Sequence, residues 1–379
     1  MYFNRTTTET LKRYLTAFPV VGITGPRQSG KTTLLRHCLP NYQYVTFDDD
    51  LNVTYFEEDP KGFLKQYNNH VIFDEVQFVP KLFNYIKMAV DQDRANYGRF
   101  VMTGSSQFSF LQNGSESLAG RIGLMTQLPL QFSEMPNALQ KESIFRGGYP
   151  ELVLRHYDNA NLWYAAYLDT YLTKDVRTLT QIGNMRDFRK LIQLLAANIS
   201  QTLDFTHYAN EIGVSATTIK RWVSVLEASY IIFLLPPYYN NFGKRITKSP
   251  KVYFYDTGLV SYLTGIVNDD LYNKGPLAGP LFENYIVSDI MKKIKHAADS
   301  SELYFFRTQD KAEIDLIVDR KTQHDLIEIK KSSTYTTKMS MTIKNYAQKN
   351  DRLFVLYNGE AMQQGDIHVL PYEDYLSRF

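Results

Sequence analysis

The sequence predicts an α/β chain of several domains, with a parallel sheet in its first third and a second α/β region at its C-terminal end. Three observations predict it. Short apolar runs alternate with helical patterns over roughly the first 130 residues, as in a parallel sheet covered by helices. The segment Gly25-Pro26-Arg27-Gln28-Ser29-Gly30-Lys31-Thr32 fits G-x-x-x-x-G-K-[ST] in full, between an apolar run and a helical one. From Leu281 a helical stretch leads into runs whose apolar residues recur every second position, the period of strands. At 379 residues the chain is too long for one ordinary domain.

Taken in order, strands are expected at Val20–Thr24, Tyr44–Asp48, Val71–Asp74, Phe100–Thr103 and Ile122–Leu128. Residues 133–200 read as mostly helical, with apolar residues at helical spacing in Leu162–Leu172 and Phe188–Ile199. A compact helical unit follows, with strand-like runs at Ile231–Tyr239 and Lys251–Tyr255. Gly275-Pro276 and Gly279-Pro280 punctuate the next boundary. Strands then follow at Leu303–Phe306, Ala312–Val318, Asp325–Ile329 and Arg352–Tyr357. The domains expected are 1–132, 133–200, 201–275 and 276–379.

Composition narrows the class. Hydrophobic residues make up 44% and charged residues 22%, enough to build cores and too apolar for disorder. A net charge of +2 neither demands nor forbids nucleic acid, so basic residues are judged by location. The single cysteine, Cys38, excludes an internal disulfide framework and suits a reducing compartment. The start, Met1-Tyr2-Phe3-Asn4-Arg5, lacks the order of a signal peptide, and the apolar run Ile231–Leu235 is too short to cross a bilayer. A cytoplasmic chain without a membrane partner is expected.

The motif at Gly25–Thr32 specifies chemistry. Glycines let backbone N–H groups curl around phosphates, and the following helix adds the positive end of its dipole. ATP is therefore expected on Gly25, Pro26, Arg27, Gln28, Ser29, Gly30, Lys31, Thr32 and Thr33, with Lys31 on the β- and γ-phosphates and the Thr32 hydroxyl on Mg²⁺. Val71-Ile72-Phe73-Asp74-Glu75 is an apolar strand ending in two carboxylates, costly unless they meet a cation. Asp74 is expected to hold the magnesium and Glu75 to polarise the attacking water.

These motifs, with Asp74-Glu75-Val76-Gln77, Thr103-Gly104-Ser105-Ser106, Leu118-Ala119-Gly120-Arg121 and Gly147-Gly148-Tyr149-Pro150, resemble a family of bacterial and archaeal AAA+ ATPases. Its members pair an AAA-type domain with a C-terminal domain of unknown function, DUF4143. The resemblance spans nearly the whole chain and implies ATP binding and hydrolysis. It also implies that Thr103, with Ser105 as second choice, sits between the γ-phosphate and the lytic water. Arg121 falls where AAA+ enzymes carry the arginine finger that acts in a neighbouring subunit of a nucleotide-dependent homo-oligomer; an arginine capping its own fold is the competing reading.

Ala209 to Trp222 has the punctuation of a helix-turn-helix. Gly213 makes the turn, Val214 and Ile219 fill the small core, and Ser215 is a natural N-cap. The strand-like runs after it would make a winged helix. Thr217, Thr218, Lys220 and Arg221 face outward, where double-stranded DNA would meet them. Between Asp204 and Lys251 six Lys or Arg stand against three Asp or Glu, a mild excess. A packing module is the alternative.

Glu313-Ile314-Asp315-Leu316-Ile317-Val318 and Leu326-Ile327-Glu328-Ile329-Lys330-Lys331 resemble the core of the PD-(D/E)xK restriction-endonuclease-like fold, with Ile314 in place of its proline. Glu328 and Lys330 lie two apart on a strand and share a face. With Asp315 on the neighbouring strand, Asp315 and Glu328 would share a Mg²⁺, Lys330 would position a water, and Glu283 matches the supporting glutamate. As cleft-lining groups, Asp315 and Lys330 should be replaceable without loss of stability. Two charged amphipathic strands are the bland reading.

The combined reading is an AAA+ α/β domain, a helical lid, a winged helix and a restriction-endonuclease-like domain, in which ATP controls a DNA-binding or DNA-cleaving module. The alternative is an ATP-driven switch whose inactive nuclease-like domain docks protein or nucleic acid. A small-molecule kinase is disfavoured because Asp74-Glu75 suits water attack, and GTP because no N-K-x-D element is present.

Overall fold

Five strands organise the N-terminal unit: β1 Val20–Thr24, β2 Gln43–Thr46, β3 Val71–Asp74, β4 Phe100–Gly104 and β5 Ile122–Thr126, of which β1, β3 and β4 are buried along their whole length. Their order is β2-β3-β4-β1-β5, with every pair parallel. The computed structural model describes residues 2–104, 118–171, 184–238, 249–308 and 312–379. They divide into two units: Met1–Leu130 with Ala228–Tyr230 and Lys295–Ala298, and Gln131–Glu227 with Ile231–Ile294 and Asp299–Phe379.

The parallel sheet follows from the alternation of apolar runs and helices, because a parallel pair needs a crossover that covers a face. Val20 of β1 packs in a cluster with Phe73 and Phe100. Val21 and Ile23 pack in a second cluster with Leu34, Leu35 and Val101. The register sets Thr24 beside Gly104 and Thr46 beside Asp74. The carboxyl ends of β1, β3 and β4 thus lie at one edge of the sheet.

In the second unit, helices cover Gln140–Arg146, Pro150–Leu154, Ala160–Thr170 and Met185–Ala197, in the stretch expected to be helical. Helices Phe205–Ile212 and Ala216–Ala228 flank Gly213, whose φ of 85° is a left-handed value that favours glycine. Asp204 caps the first helix by accepting from Thr206 N at 2.9 Å, and Ser215 Oγ accepts from Thr218 N at 3.0 Å. Strands β6 Ile232–Leu235 and β7 Lys251–Phe254 then pair antiparallel.

The C-terminal region is built on the helix Ala278–Ala297 and a six-stranded sheet: β8 Glu302–Arg307, β9 Glu313–Asp319, β10 His324–Ile329, β11 Arg352–Tyr357, β12 Met362–Gln364 and β13 Ile367–Pro371, in the order β12-β13-β11-β10-β9-β8. β11 is parallel to β10 and β13, and the other pairs are antiparallel. Two details depart from the sequence reading. Gly279-Pro280 does not break the chain but lies in the first turn of its helix, where a missing N–H costs nothing. Strands β12 and β13 were not foreseen, since Met362–Gln364 is exposed throughout and shows no apolar period.

Candidate functional site

The loop after β1 closes on itself through Lys31. Its Nζ donates to the carbonyls of Gly25 at 2.9 Å and Pro26 at 3.0 Å, and the side chain is buried, at 6% exposure. Gly25 holds φ 147°, and a Cβ there would lie 2.0 Å from the Gln127 carbonyl oxygen, so no other residue fits. Ser29 is buried and its Oγ has no hydrogen-bond partner among the described residues. Gly30 precedes the helix Lys31–Cys38, which has no side-chain cap at its N-terminus. Thr33 is exposed on the first turn, and Arg27 and Gln28 lie at the rim of the loop. A buried ammonium, an orphaned hydroxyl and an uncapped helix start are the features a polyphosphate satisfies.

Across from the loop, Asp74 ends β3 at 4% exposure. Its Oδ2 accepts from Thr32 Oγ1 at 2.8 Å and from the Tyr44 hydroxyl, and its Oδ1 accepts from Thr103 Oγ1. Thr103 Oγ1 also accepts from the backbone N–H of Glu75 at 3.5 Å. Thr32, Asp74, Thr103 and Glu75 therefore come together, while Ser105 lies outside the described residues. Glu75 takes a left-handed backbone, φ 58° and ψ 45°, and accepts from Gln77 Nε2. Burial raises its carboxyl above the ordinary value, against the opposing pull of Lys31 and Gln77. Thr32 and Asp74 offer the hard oxygen donors that Mg²⁺ takes.

Two residues the sequence reading passed over shape this site. Arg5 is buried and donates to the carbonyls of Ser29 at 3.0 Å and Leu128 at 2.6 Å, pinning the loop from outside. Tyr44 is pushed up to about 12 by burial and by Asp74, so its hydroxyl stays a donor, and Arg36 lies over its ring at 4.2 Å. Neither has a spacing that flags it.

Arg121 stands apart. It precedes β5, and its carbonyl accepts from Val20 N at 3.2 Å, which puts it at the amino end of strands whose carboxyl ends carry the loop. Its guanidinium grips Asp91, with Nε at 2.8 Å and Nη2 at 3.1 Å, and donates to Ala119 O at 3.0 Å.

Three family models match: an AAA domain over residues 17–136, a domain of unknown function (DUF8612) over 137–270 and a domain of unknown function (DUF4143) over 278–375. The uncharacterised proteins Rv2008c of Mycobacterium tuberculosis and Mb2031c of Mycobacterium bovis are each 31% identical over 352 residues, 92% of this chain and 79% of the relative. The chain belongs to their family. Its N-terminal unit is an AAA-type P-loop domain, and its C-terminal region is a DUF4143 domain. Among solved structures, the Walker-type ATPase PABY2304 of Pyrococcus abyssi aligns at 13% identity over 69% of this chain and 96% of its own, with a TM-score of 0.44. The Aeropyrum pernix ORC1 protein, solved in complex with DNA, aligns at 12% identity over 70% and 93%, with a TM-score of 0.30. Likeness at that level says nothing of shared activity. No helix among the described residues is long and apolar enough to cross a membrane.

The DUF4143 domain brings Glu283, Asp315, Glu328 and Lys330 into one cluster, with Asp315 and Glu328 buried and the Lys330 side chain 39% exposed. Ile327 pairs with Leu316 across β9 and β10, so Asp315 and Glu328 come next in register and share a face. Lys330 Nζ lies 2.6 Å from Glu328 Oε1 and 3.1 Å from Asp315 Oδ2. A second ammonium, missed in the sequence, sits beside them: Lys251 Nζ is 2.5 Å from Glu313 Oε1 and 3.1 Å from Glu283 Oε1. Tyr253 donates to Glu283 Oε1 at 2.6 Å. Burial raises Glu283 to about 7, with Lys251 pulling it down and Asp315 pushing it up. Burial and then Asp315 raise Glu328 to about 8, against Lys330. Burial would lower both lysines, but their carboxylates outweigh it and hold them above the ordinary value.

Lys251 lies 32 residues before Glu283, at the head of an apolar run, so nothing in the spacing announces it. Its presence changes the chemistry. Asp315 and Glu328 have the right donors for a divalent ion, and Glu328 Oε2 is buried without a partner, but Lys330 already bridges the two. Among the described residues no three His, Cys, Asp or Glu converge on a metal-sized site. Nor is Asp315 a free cleft group as expected: it is 6% exposed and accepts from Ile329 N at 2.8 Å. Its removal would cost stability, because a buried N–H would lose its acceptor. On the helix Ala216–Ala228, Thr217, Lys220 and Arg221 are exposed, Thr218 is half-buried, and Ile219 and Trp222 are buried.

Proposed function

We propose that the chain binds ATP with Mg²⁺ at Gly25–Thr33 and hydrolyses it, and that its nucleotide state controls nucleic-acid contact by the remaining domains. The observation that carries the reading is the convergence of Thr32, Asp74, Thr103 and Glu75 at the carboxyl ends of β1, β3 and β4. Lys31 would exchange its loop carbonyls for the β- and γ-phosphates, and Ser29 Oγ would gain an acceptor. Thr32 and Asp74 would hold Mg²⁺, which when bound neutralises phosphate charge. Glu75, held by Gln77 and with its proton affinity raised, is placed to take a proton from water. A finger role for Arg121 in a neighbouring subunit of a homo-oligomer would require it to leave Asp91.

Beyond the ATPase, we read the Phe205–Ile212 and Ala216–Ala228 helices with β6 and β7 as a winged helix, whose Thr217, Thr218, Lys220 and Arg221 meet double-stranded DNA. The DUF4143 domain is read as restriction-endonuclease-like, with Glu283, Asp315, Glu328 and Lys330 at its centre. Lys251 and Lys330 favour a second version of this reading, in which the two ammoniums occupy the space between the carboxylates and the domain docks nucleic acid without cutting it. The test is phosphate release measured beside plasmid nicking on one preparation, with Mg²⁺ or Mn²⁺ and with or without ATP. Phosphate release with DNA retention is expected. Metal-dependent nicking that disappears in Lys330→Ala would establish the cleaving version, and no phosphate release under any condition would sink the ATPase reading.

A further inference from the structure

The face of the C-terminal sheet opposite Asp315 and Glu328 carries a cleft of about 560 Å³, within the size range of small-ligand sites. Asp325 and Ile327 alternate with Leu326 and Glu328 along β10, so Asp325 points to the other side. Asp325 pairs with Arg352, and Ile327 with Phe354, which in turn pairs with His368. The cleft's charge is uneven. Among the described residues Asp325 is the one lining carboxylate side chain, fully buried, against three guanidiniums, Arg320, Arg352 and Arg378.

Geometry fixes two of these cations and leaves one open. Asp325 accepts from Arg352 Nε at 2.6 Å and Nη2 at 2.8 Å, from Arg320 Nε at 3.1 Å and from the Tyr375 hydroxyl at 3.1 Å. Arg378 is 77% exposed and meets Asp374 only at 3.9 Å. The walls are aromatic: Phe354 stacks on His368 at 5.3 Å, and Arg320 lies over the Phe379 ring at 4.4 Å. A staple tying the helix Tyr372–Arg378 to the sheet would need one guanidinium on Asp325; it leaves Arg378 and the exposed His368 unexplained. Guanidiniums held in place suit a phosphate, and flat faces beside them suit a base.

We propose that this cleft binds a nucleotide unit, phosphate on the arginines and base against the His368–Phe354 wall. The unit comes from one of two sources, a free nucleoside monophosphate or the phosphorylated end of a nucleic-acid strand. This goes beyond the functional reading above, since it involves neither the ATP loop nor the Glu328 face.

The test is fluorescence anisotropy of the full chain with a short single-stranded oligonucleotide, phosphorylated at its 5′ end and labelled at the other. Arg378→Glu should weaken binding by about tenfold or more, the scale of one charge-assisted contact, and His368→Ala should weaken it less. Lys12→Ala, an exposed cation of the N-terminal unit, should bind as wild type does, and phosphate release from ATP should be unchanged in Arg378→Glu. Because Arg378 is exposed, an unaltered melting temperature checks that the variant folds. Competition by a nucleoside monophosphate assigns the free nucleotide, and loss of binding with a 5′-hydroxyl strand, without such competition, assigns the strand end. Failure of the wild type to bind overturns the proposal. So does binding that survives Arg378→Glu and His368→Ala.

Discussion

Thr32 Oγ1 donates to Asp74 Oδ2 across 2.8 Å and 42 residues of sequence, joining the loop after β1 to the end of β3. Everything else at the nucleotide site is arranged about this contact. Tyr44 adds a second donor to the same oxygen, and Thr103 holds the other.

Tyr44→Phe keeps the ring under Arg36 and removes only the hydroxyl. Asp74 then loses a hydrogen bond to a buried charge, and folding stability should fall by about 1–2 kcal/mol, read from the denaturant midpoint. An unchanged midpoint would mean that the contact contributes nothing and that Asp74 is held by Thr32 and Thr103 alone.

Lys251→Met tests the buried cluster of the DUF4143 domain. Removing one partner of a buried ion pair typically costs about 3–5 kcal/mol, and the variant should lose an amount at the lower end of that range at neutral pH. Adding Glu283→Gln should recover part of it, because an uncompensated carboxylate is removed. A stable single variant, or a double variant worse than the single, would contradict the pairing of Lys251 with Glu283.

Glu227 provides a pH test away from any site residue. Burial raises its carboxyl from 4.5 to about 7, with the Leu234 backbone hydrogen bond opposing the shift. Between those values the folded chain keeps a proton that the unfolded chain has lost, so this group's contribution to stability falls as pH rises through the window. Glu227→Gln removes the effect and keeps an acceptor for Leu234. The variant should match wild type near pH 4.5 and exceed it by about 2 kcal/mol near pH 7.5, allowing for partial exposure. Parallel stability curves would refute the burial account.

Arg121→Ala separates a clasp from a finger. Held by Asp91, Arg121 should matter to folding, so Arg121→Ala and Asp91→Ala should behave alike and both should keep ATP turnover per chain. Loss of turnover in Arg121→Ala alone, rescued by mixing with a Lys31→Ala chain, would instead place Arg121 in a neighbour's site.

The sequence was most legible where chemistry and period coincide. β1 and β3 fall at the residues their apolar runs predicted, because a strand buried on both faces is a continuous apolar run and each is followed by a diagnostic loop. The nearness of Asp315, Glu328 and Lys330 was legible from a resemblance in sequence together with the period of two. Lys251, Arg5 and Tyr44 were not, since each reaches its partner through the fold and no local spacing records that. β12 was hidden for the opposite reason: its residues are exposed, and pairing by backbone alone leaves no mark on side-chain order.

The most direct test of the ATPase reading is Glu75→Gln, with nucleotide affinity and phosphate release measured side by side with wild type. The substitution keeps the shape and leaves Thr32 and Asp74 in place while removing the group that takes the proton. ATP affinity should persist, and hydrolysis should slow at least ~100-fold, the low end of general-base effects. Hydrolysis at the wild-type rate would contradict the account, since Glu75 would then not be the base at the end of β3.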